Sequence, residues 1–240
     1  MPAHVAVTID LVAPGIHFVE GPASNWVVLT GDGTASLIDA GYPGDIDLVR
    51  GSLRQVADGL PLSTIAVTHG HSDHTGGIRE LLGDHPGARV VSSEAELPNI
   101  RRDVTHQVTA GAILPHLVKP RFARWLRHAI RAGGLTDVAV ADPVGLADGQ
   151  ELDLSGHPVR VRVTPGHTPG HTVYELLDAG AVATGDALVT GHAVSTVRGP
   201  QSLHPMFHHD RPAALALFHE LDREWSGRTL LPGHGPILRR

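Results

Sequence analysis

Residues 68–77 read THGHSDHTGG, which puts His69, His71, Asp73 and His74 within six consecutive positions. A regular helix or strand cannot aim all four side chains into one volume at these spacings, whereas a tight loop can. The preceding STIAVTH (63–69) is a short apolar run that reads as a buried strand. The cluster is therefore expected in the loop beyond a strand's C-terminal end, where α/β folds commonly place their chemistry.

The flanking sequence fits that class. VAVTI (5–9), WVVLT (26–30) and ASLIDA (35–40) are strand-like runs separated by turn residues. Ile46, Val49, Leu53, Val56 and Leu60 then recur at steps of three and four, with Asp45 as candidate N-cap, predicting an amphipathic helix. Ile78, Leu81 and Leu82 begin another helix, and ARVVSS (88–93) follows as a strand. Residues 94–143 change character and read as a helical insertion. Strands resume at VRVRVT (159–164), TVYELL (172–177) and AVAT (181–184). A last helix is expected after Asp210, with Leu217, Leu221 and Trp225 spaced by four. No repeat and no linker divides the chain, so a single domain over 1–240 is expected.

Composition narrows the chemistry. With no cysteine, disulfides and thiolate ligands are unavailable, and any metal must be held by nitrogen and oxygen. Such a set suits zinc, manganese or iron rather than copper(I). A formal net charge of −6 argues against a dedicated nucleic-acid binder. The N-terminal stretch lacks a basic region followed by a long apolar run, and no stretch has the length of a membrane helix. The expectation is a cytoplasmic protein with no membrane span, acting on a small molecule; the oligomeric state is left open. The chain has 18 histidines, far more than a metal site uses, so most are expected to be structural.

Three later positions repeat one arrangement: an apolar run, a turn glycine, then a ligand-type residue. They are His167 in VTPGHTPGH (163–171), Asp186 in ATGDAL (183–188) and His234 in LLPGHGP (230–236). With H-x-H-x-D-H, then a single His, a single Asp and a final His in order, the sequence resembles the metallo-β-lactamase superfamily of metallohydrolases. SLIDAG (36–41) also looks like the family's segment before its first helix.

The resemblance implies an αββα sandwich, two packed sheets with helices outside and metals at one sheet edge. Carried over by position, it implies that His69, His71 and His167 hold one ion and that Asp73, His74 and His234 hold a second. Asp186 would bridge the two. The implied cofactors are two divalent ions, zinc first, with iron or manganese as alternatives. A dinuclear hydrolase follows, in which a metal-bridging hydroxide attacks the carbonyl of a small thioester, lactone or related acyl compound. Asp73 would be catalytic, orienting that hydroxide and passing a proton to the leaving group. The alternatives are a phosphodiesterase or nuclease on the same site, favoured if the Arg-rich insertion helix faces the metals, and an iron-dependent redox enzyme of the same fold.

Subfamily signs are mostly missing. The chain ends at Arg240, so the glutathione-holding C-terminal domain of glyoxalase-II-type thioesterases is not expected. Acyl-homoserine-lactone lactonases usually place a tyrosine three residues after the bridging aspartate, where this chain has Val189. No RNA-binding arm is identifiable.

The insertion is expected to cap the site. Lys119, Arg121, Arg124, Arg127 and Arg131 are read as a solvated face, and Trp125 as core rather than pocket lining. HPMFHHD (204–210), with Met206, Phe207, His208 and His209, is read as a plain connection to the Asp210 cap. His171 and Asp39 are read as supports for the histidine loops, and His192 is given no role.

Overall fold

A computed structural model describes residues 7–240. Its seven-stranded sheet runs, in spatial order, β1 (Thr8–Ala13), β2 (Ile16–Glu20), β3 (Asn25–Gly31), β4 (Thr34–Ile38), β5 (Leu62–Ala66), β6 (Arg89–Ser93) and β7 (Val144–Leu146). The first four strands pair antiparallel, and β4 through β7 pair parallel. The second sheet holds β8 (Glu151–Leu154), β9 (His157–Val163), β10 (Thr172–Leu176), β11 (Ala181–Gly185) and β12 (Thr229–Pro232), in spatial order β12-β11-β10-β9-β8.

The period-2 alternation of the strands builds the layers. On β3, Val27 and Leu29 point inward with Ile16, Phe18 and Ile38 and meet Val159, Val161, Tyr174, Leu176 and Leu231 of the second sheet. The intervening Trp26 and Val28 point the other way. They are covered by α1 (Ile46–Val56), through Val49, while Ile78 and Leu81 join the same cluster. The second sheet's outer face, Val173, Val182 and Leu230, packs on Phe218, Leu221 and Trp225. Two sheets between helical layers is the expected αββα sandwich. Fully burying each large apolar side chain contributes roughly 1.5–3 kcal/mol.

Helices complete the frame. After α1 come α2 (Ser72–Thr75), α3 (Ile78–Asp84), α4 (Leu97–Ile100), α5 (Ala110–Ile113), α6 (Pro120–Arg131) and α7 (Arg211–Glu224). Asp210 caps α7, its Oδ1 accepting from Ala213 N at 3.0 Å. Asp45 does not cap α1. Its carboxylate turns back to accept from Tyr42 N at 3.2 Å, closing the turn before the helix. The expected VAVTI strand is displaced to Thr8–Ala13, and residues 5 and 6 of that run lie outside the described residues. The strand expected over 63–69 stops at Ala66, and part of the HSDH stretch winds into the single turn of α2. Among the described residues no helix is long and apolar enough to cross a membrane.

The C-terminal ends of β4, β5, β11 and β12 share one edge of the sandwich. There Thr172 N donates to Thr68 O at 2.8 Å, and Asn25 N donates to Gly233 O at 2.9 Å, tying the two sheets together.

Candidate metal centre

Five histidines and two aspartates converge at that edge. His69, His71, Asp73 and His74 follow β5, and His167 lies between β9 and β10. Asp186 follows β11, and His234 follows β12. His69 Nε2 lies 3.0 Å from His71 Nδ1. His167 Nε2 lies 3.1 Å from each of them. Nitrogens bound tetrahedrally at about 2.0–2.1 Å to one ion would sit about 3.3 Å apart. The three lone pairs thus meet at the spacing a common cation sets.

The neighbours choose which nitrogen each ring presents. His71 Nε2–H donates to His106 O at 2.6 Å, freeing Nδ1. His74 Nδ1–H donates to Asp39 Oδ2 at 2.8 Å, freeing Nε2. His234 Nδ1–H donates to Ala23 O at 2.6 Å, with the same result. Thr68 Oγ1 gives its proton to Asp39 Oδ2 at 2.7 Å and so accepts from His69 Nδ1–H at 3.0 Å. Such outer partners fix ring orientation and tautomer in metal sites.

Asp186 stands between two groups of ligand-type atoms. Its Oδ2 is 3.4 Å from His167 Nε2 and 3.4 Å from His234 Nε2, while Oδ1 is 3.6 Å from His74 Nε2. Asp73 Oδ2 lies 3.5 Å from His234 Nε2 and 3.9 Å from His74 Nε2. His74 Nε2 and Asp186 Oδ1 are buried with no hydrogen-bond partner among the described residues. Buried polar atoms left this way are costly, and a bound cation satisfies both. The donor set fits a pair of divalent ions held by nitrogen and oxygen.

Burial drives the pKa of His69, His71 and His167 down, keeping their imidazoles neutral. At His74 burial pulls the same way, but the Asp39, Asp186 and Asp73 carboxylates outweigh it and raise the value to about 10. At His234 burial is outweighed by Asp186 and Asp73, and the value rises. Burial would raise Asp186, yet His234, His74 and His167 hold it well below the usual carboxylate range. The basin therefore concentrates negative charge and calls for positive charge at its centre.

The supports are built as carefully as the donors. Asp39, at φ 63°, also accepts from Thr68 N at 2.8 Å, so one carboxylate ties β4 to the histidine loop. His171 Nε2 accepts from Asp186 N at 3.0 Å, and its other nitrogen faces Thr164 Oγ1 at 2.7 Å. Gly185 turns the chain at φ 48°, and a Cβ there would lie 2.7 Å from His171 Nε2. A Cβ on Gly233 would stand 2.5 Å from Asp186 Oδ1. Those two glycines are what let the strand ends close on the basin.

Sequence reasoning missed Glu96. Its buried carboxylate accepts from Gly70 N at 2.8 Å and Asn99 Nδ2 at 2.6 Å through one oxygen. The other accepts from Thr168 Oγ1 at 2.7 Å and Gly170 N at 3.0 Å. One side chain thus clamps the loop bearing His69 and His71 to the loop bearing His167. The only sequence signal is a glutamate just after a buried strand, which looks like any helix-start acid.

An open cleft of about 680 Å³ lies over the basin, lined by Asp73, Asp186, His234, Trp125, Leu126 and Phe207 among others. Trp125 is therefore cleft lining rather than core, because the face of α6 that it shares looks onto the basin. HPMFHHD is likewise more than a connection: Phe207 walls the cleft, while Met206, His208 and His209 line a recess beside it, against His167. His192 also lines the cleft, its ring 4.9 Å from that of His234, and burial pushes its pKa down to about 3. Arg124, Arg127 and Arg131 are exposed and do not line the cleft.

Residues 19–234 match the profile of the metallo-beta-lactamase superfamily. A hydroxyacylglutathione hydrolase from Alkalilimnicola ehrlichii is 31% identical over 169 residues, covering 70% of this chain and 49% of that protein. The probable metallo-hydrolase YflN of Bacillus subtilis is 28% identical over 155 residues, covering 64% of this chain and 55% of that protein. The chain spans about half or less of the hydroxyacylglutathione hydrolases that it matches. Among solved structures, a metallo-beta-lactamase family protein from Thermus thermophilus superposes with TM-score 0.63 at 26% identity, covering 95% of this chain and 76% of that one. The matched span takes in every residue of the basin, and the chain belongs to the metallo-beta-lactamase superfamily.

Proposed function

We propose that this chain is a dinuclear metal-dependent hydrolase of small ester-like substrates: thioesters, lactones or related acyl compounds. The observation that carries the reading is the placement of Asp186 Oδ2 at 3.4 Å from both His167 Nε2 and His234 Nε2. A single carboxylate reaches both donor groups. His69, His71 and His167 would hold one ion, Asp73, His74 and His234 the other, with Asp186 shared and zinc the first choice of metal. Ions bound there supply a nucleophilic water near neutral pH and polarise the substrate's carbonyl.

The chain's own groups do the rest. The hydrogen bonds to Asp39, Thr68 and the carbonyls of Ala23 and His106 turn the other nitrogen of four rings toward the basin. Asp73, half-buried and lining the cleft, orients the attacking water and returns a proton to the leaving group. Segment 94–143 roofs the basin and limits water there. The thioester hydrolysis implied by the name of the Alkalilimnicola relative supports an acyl substrate. A phosphodiester reading is weaker, because no arginine or lysine lines the cleft over the basin among the described residues.

The test is turnover of a thioester, a lactone, a β-lactam and a phosphodiester by zinc-reconstituted protein, beside chelator-stripped protein. Acyl hydrolysis that disappears on stripping and returns with zinc, manganese or iron is the expected result. Turnover of the phosphodiester alone, or activity indifferent to chelation, overturns the proposal.

A further inference from the structure

The cleft over the basin has a polar floor and an apolar roof. The floor carries the histidines and carboxylates, with Tyr42 and Ser72 beside them. Trp125, Leu126, Ala129 and Ile130 of α6 form the roof, facing Phe207 and Leu203. Among the described residues, no lysine or arginine lines any part of it.

The amphipathic spacing of α6 produces this division. Phe122 is buried and stacks on His116 with ring centres 4.9 Å apart, which seats the helix. One turn on, Trp125 faces the cleft and meets the Phe207 ring edge-on at 5.1 Å. Arg124, Arg127 and Arg131 fall on the opposite, exposed side, while Arg121 is half-buried and donates to Val194 O at 3.5 Å outside the cleft lining. At the mouth, Ile130 and Leu135 line the cleft while 48% and 81% exposed. Apolar side chains left wet along one continuous track gain from covering by an apolar ligand. An ionised group laid on that track would lose its hydration and find no counter-charge.

Resting on the hydrolase reading above, we propose that the substrate carries an uncharged, apolar acyl chain. It lies between Trp125 and Phe207 and runs out toward Ile130 and Leu135, with its carbonyl over Asp186. A thiol half bearing carboxylates, such as glutathione, has no cationic seat in this cleft.

Two measurements on zinc-loaded protein test this. The first is kcat/KM for acetyl, butyryl, hexanoyl and octanoyl thioesters of an uncharged thiol, beside a glutathione thioester. The second is binding of the matching alkyl carboxylates by calorimetry, which needs no turnover. Each added methylene is expected to raise both quantities roughly threefold until the cleft is filled. Trp125→Ala is expected to flatten both series, and Arg124→Ala to leave them unaltered. A flat series in wild type, or preference for the glutathione thioester, overturns the inference while leaving the hydrolase reading standing. Length-dependent carboxylate binding without hydrolysis of any thioester, nor of the lactone and β-lactam above, supports the apolar track and overturns the hydrolase reading instead.

Discussion

The floor and the roof of the cleft are built on opposite terms. On the floor, His69 and His74 are fully buried and Asp186 is 3% exposed. The rings of His69, His71, His74 and His234 are each oriented by a hydrogen bond to a named partner. On the roof, Leu135 is 81% exposed, and the contacts are ring edges and aliphatic surface with no geometry to enforce. Such a floor fixes a reaction, since donors displaced by a fraction of an ångström no longer share a cation. Such a roof fixes a preference, since apolar contacts lose value gradually as surface is lost. Substitutions on the two should differ in kind as well as size.

The sharpest break of that comparison is Asp186→Ala. It removes the one carboxylate within reach of both donor groups, so kcat/KM is expected to fall by at least ~10³-fold, with bound metal falling below two ions per chain. Steady-state kinetics with elemental analysis on the same sample reads both. Activity within about tenfold of wild type at full metal content would remove Asp186 from the centre of the site.

Next in size is Glu96→Gln, which alters no candidate ligand. Glutamine keeps the shape, but its amide nitrogen must face either Gly70 N and Asn99 Nδ2 or Thr168 Oγ1 and Gly170 N, all of which now donate to a carboxylate oxygen. Changes in such outer supports typically cost 10–100-fold in metal affinity or activity, and that range is expected here. Zinc titration against a competing chelator measures it, with Glu94→Gln, an exposed neighbour, as the control. Equal zinc affinity for the two variants would reduce Glu96 to a fold-stabilising residue.

The same contrast explains what the sequence disclosed. The convergence of His69, His71, Asp73, His74, His167, Asp186 and His234 was legible because each is a ligand-type residue that follows an apolar run and a turn. The alternation of β3 announced its two faces, and with them the sandwich. Glu96 was not legible, because two of its donors are backbone amides of Gly70 and Gly170, brought together only by the folded chain. Trp125 was half legible. Periodicity assigns it to the apolar face of α6 with Phe122, yet it cannot say that Phe122 meets the core while Trp125 meets the cleft. Asp45 misled for a related reason: the N-cap position was read correctly, but the carboxylate found a nearer donor in Tyr42 N.

The smallest expected effect tests the roof's outer side. Arg124 and Arg127 are exposed on α6, across the helix from the residues that line the cleft. An α-helix with its side chains is about 10–12 Å across, and charges are screened over about 8 Å at physiological ionic strength. Their field at the basin is therefore weak, and the double variant Arg124→Ala, Arg127→Ala is expected to keep kcat/KM within about twofold on an uncharged thioester. Addition of salt should change neither protein's rate on that substrate. A drop beyond about fivefold, or a wild-type rate on a phosphodiester that falls steeply with salt and is lost in the variant, would mean that the cationic side of α6 gathers anions for the basin. The roof would then select charge rather than apolar surface, and the phosphodiester reading would displace the acyl one.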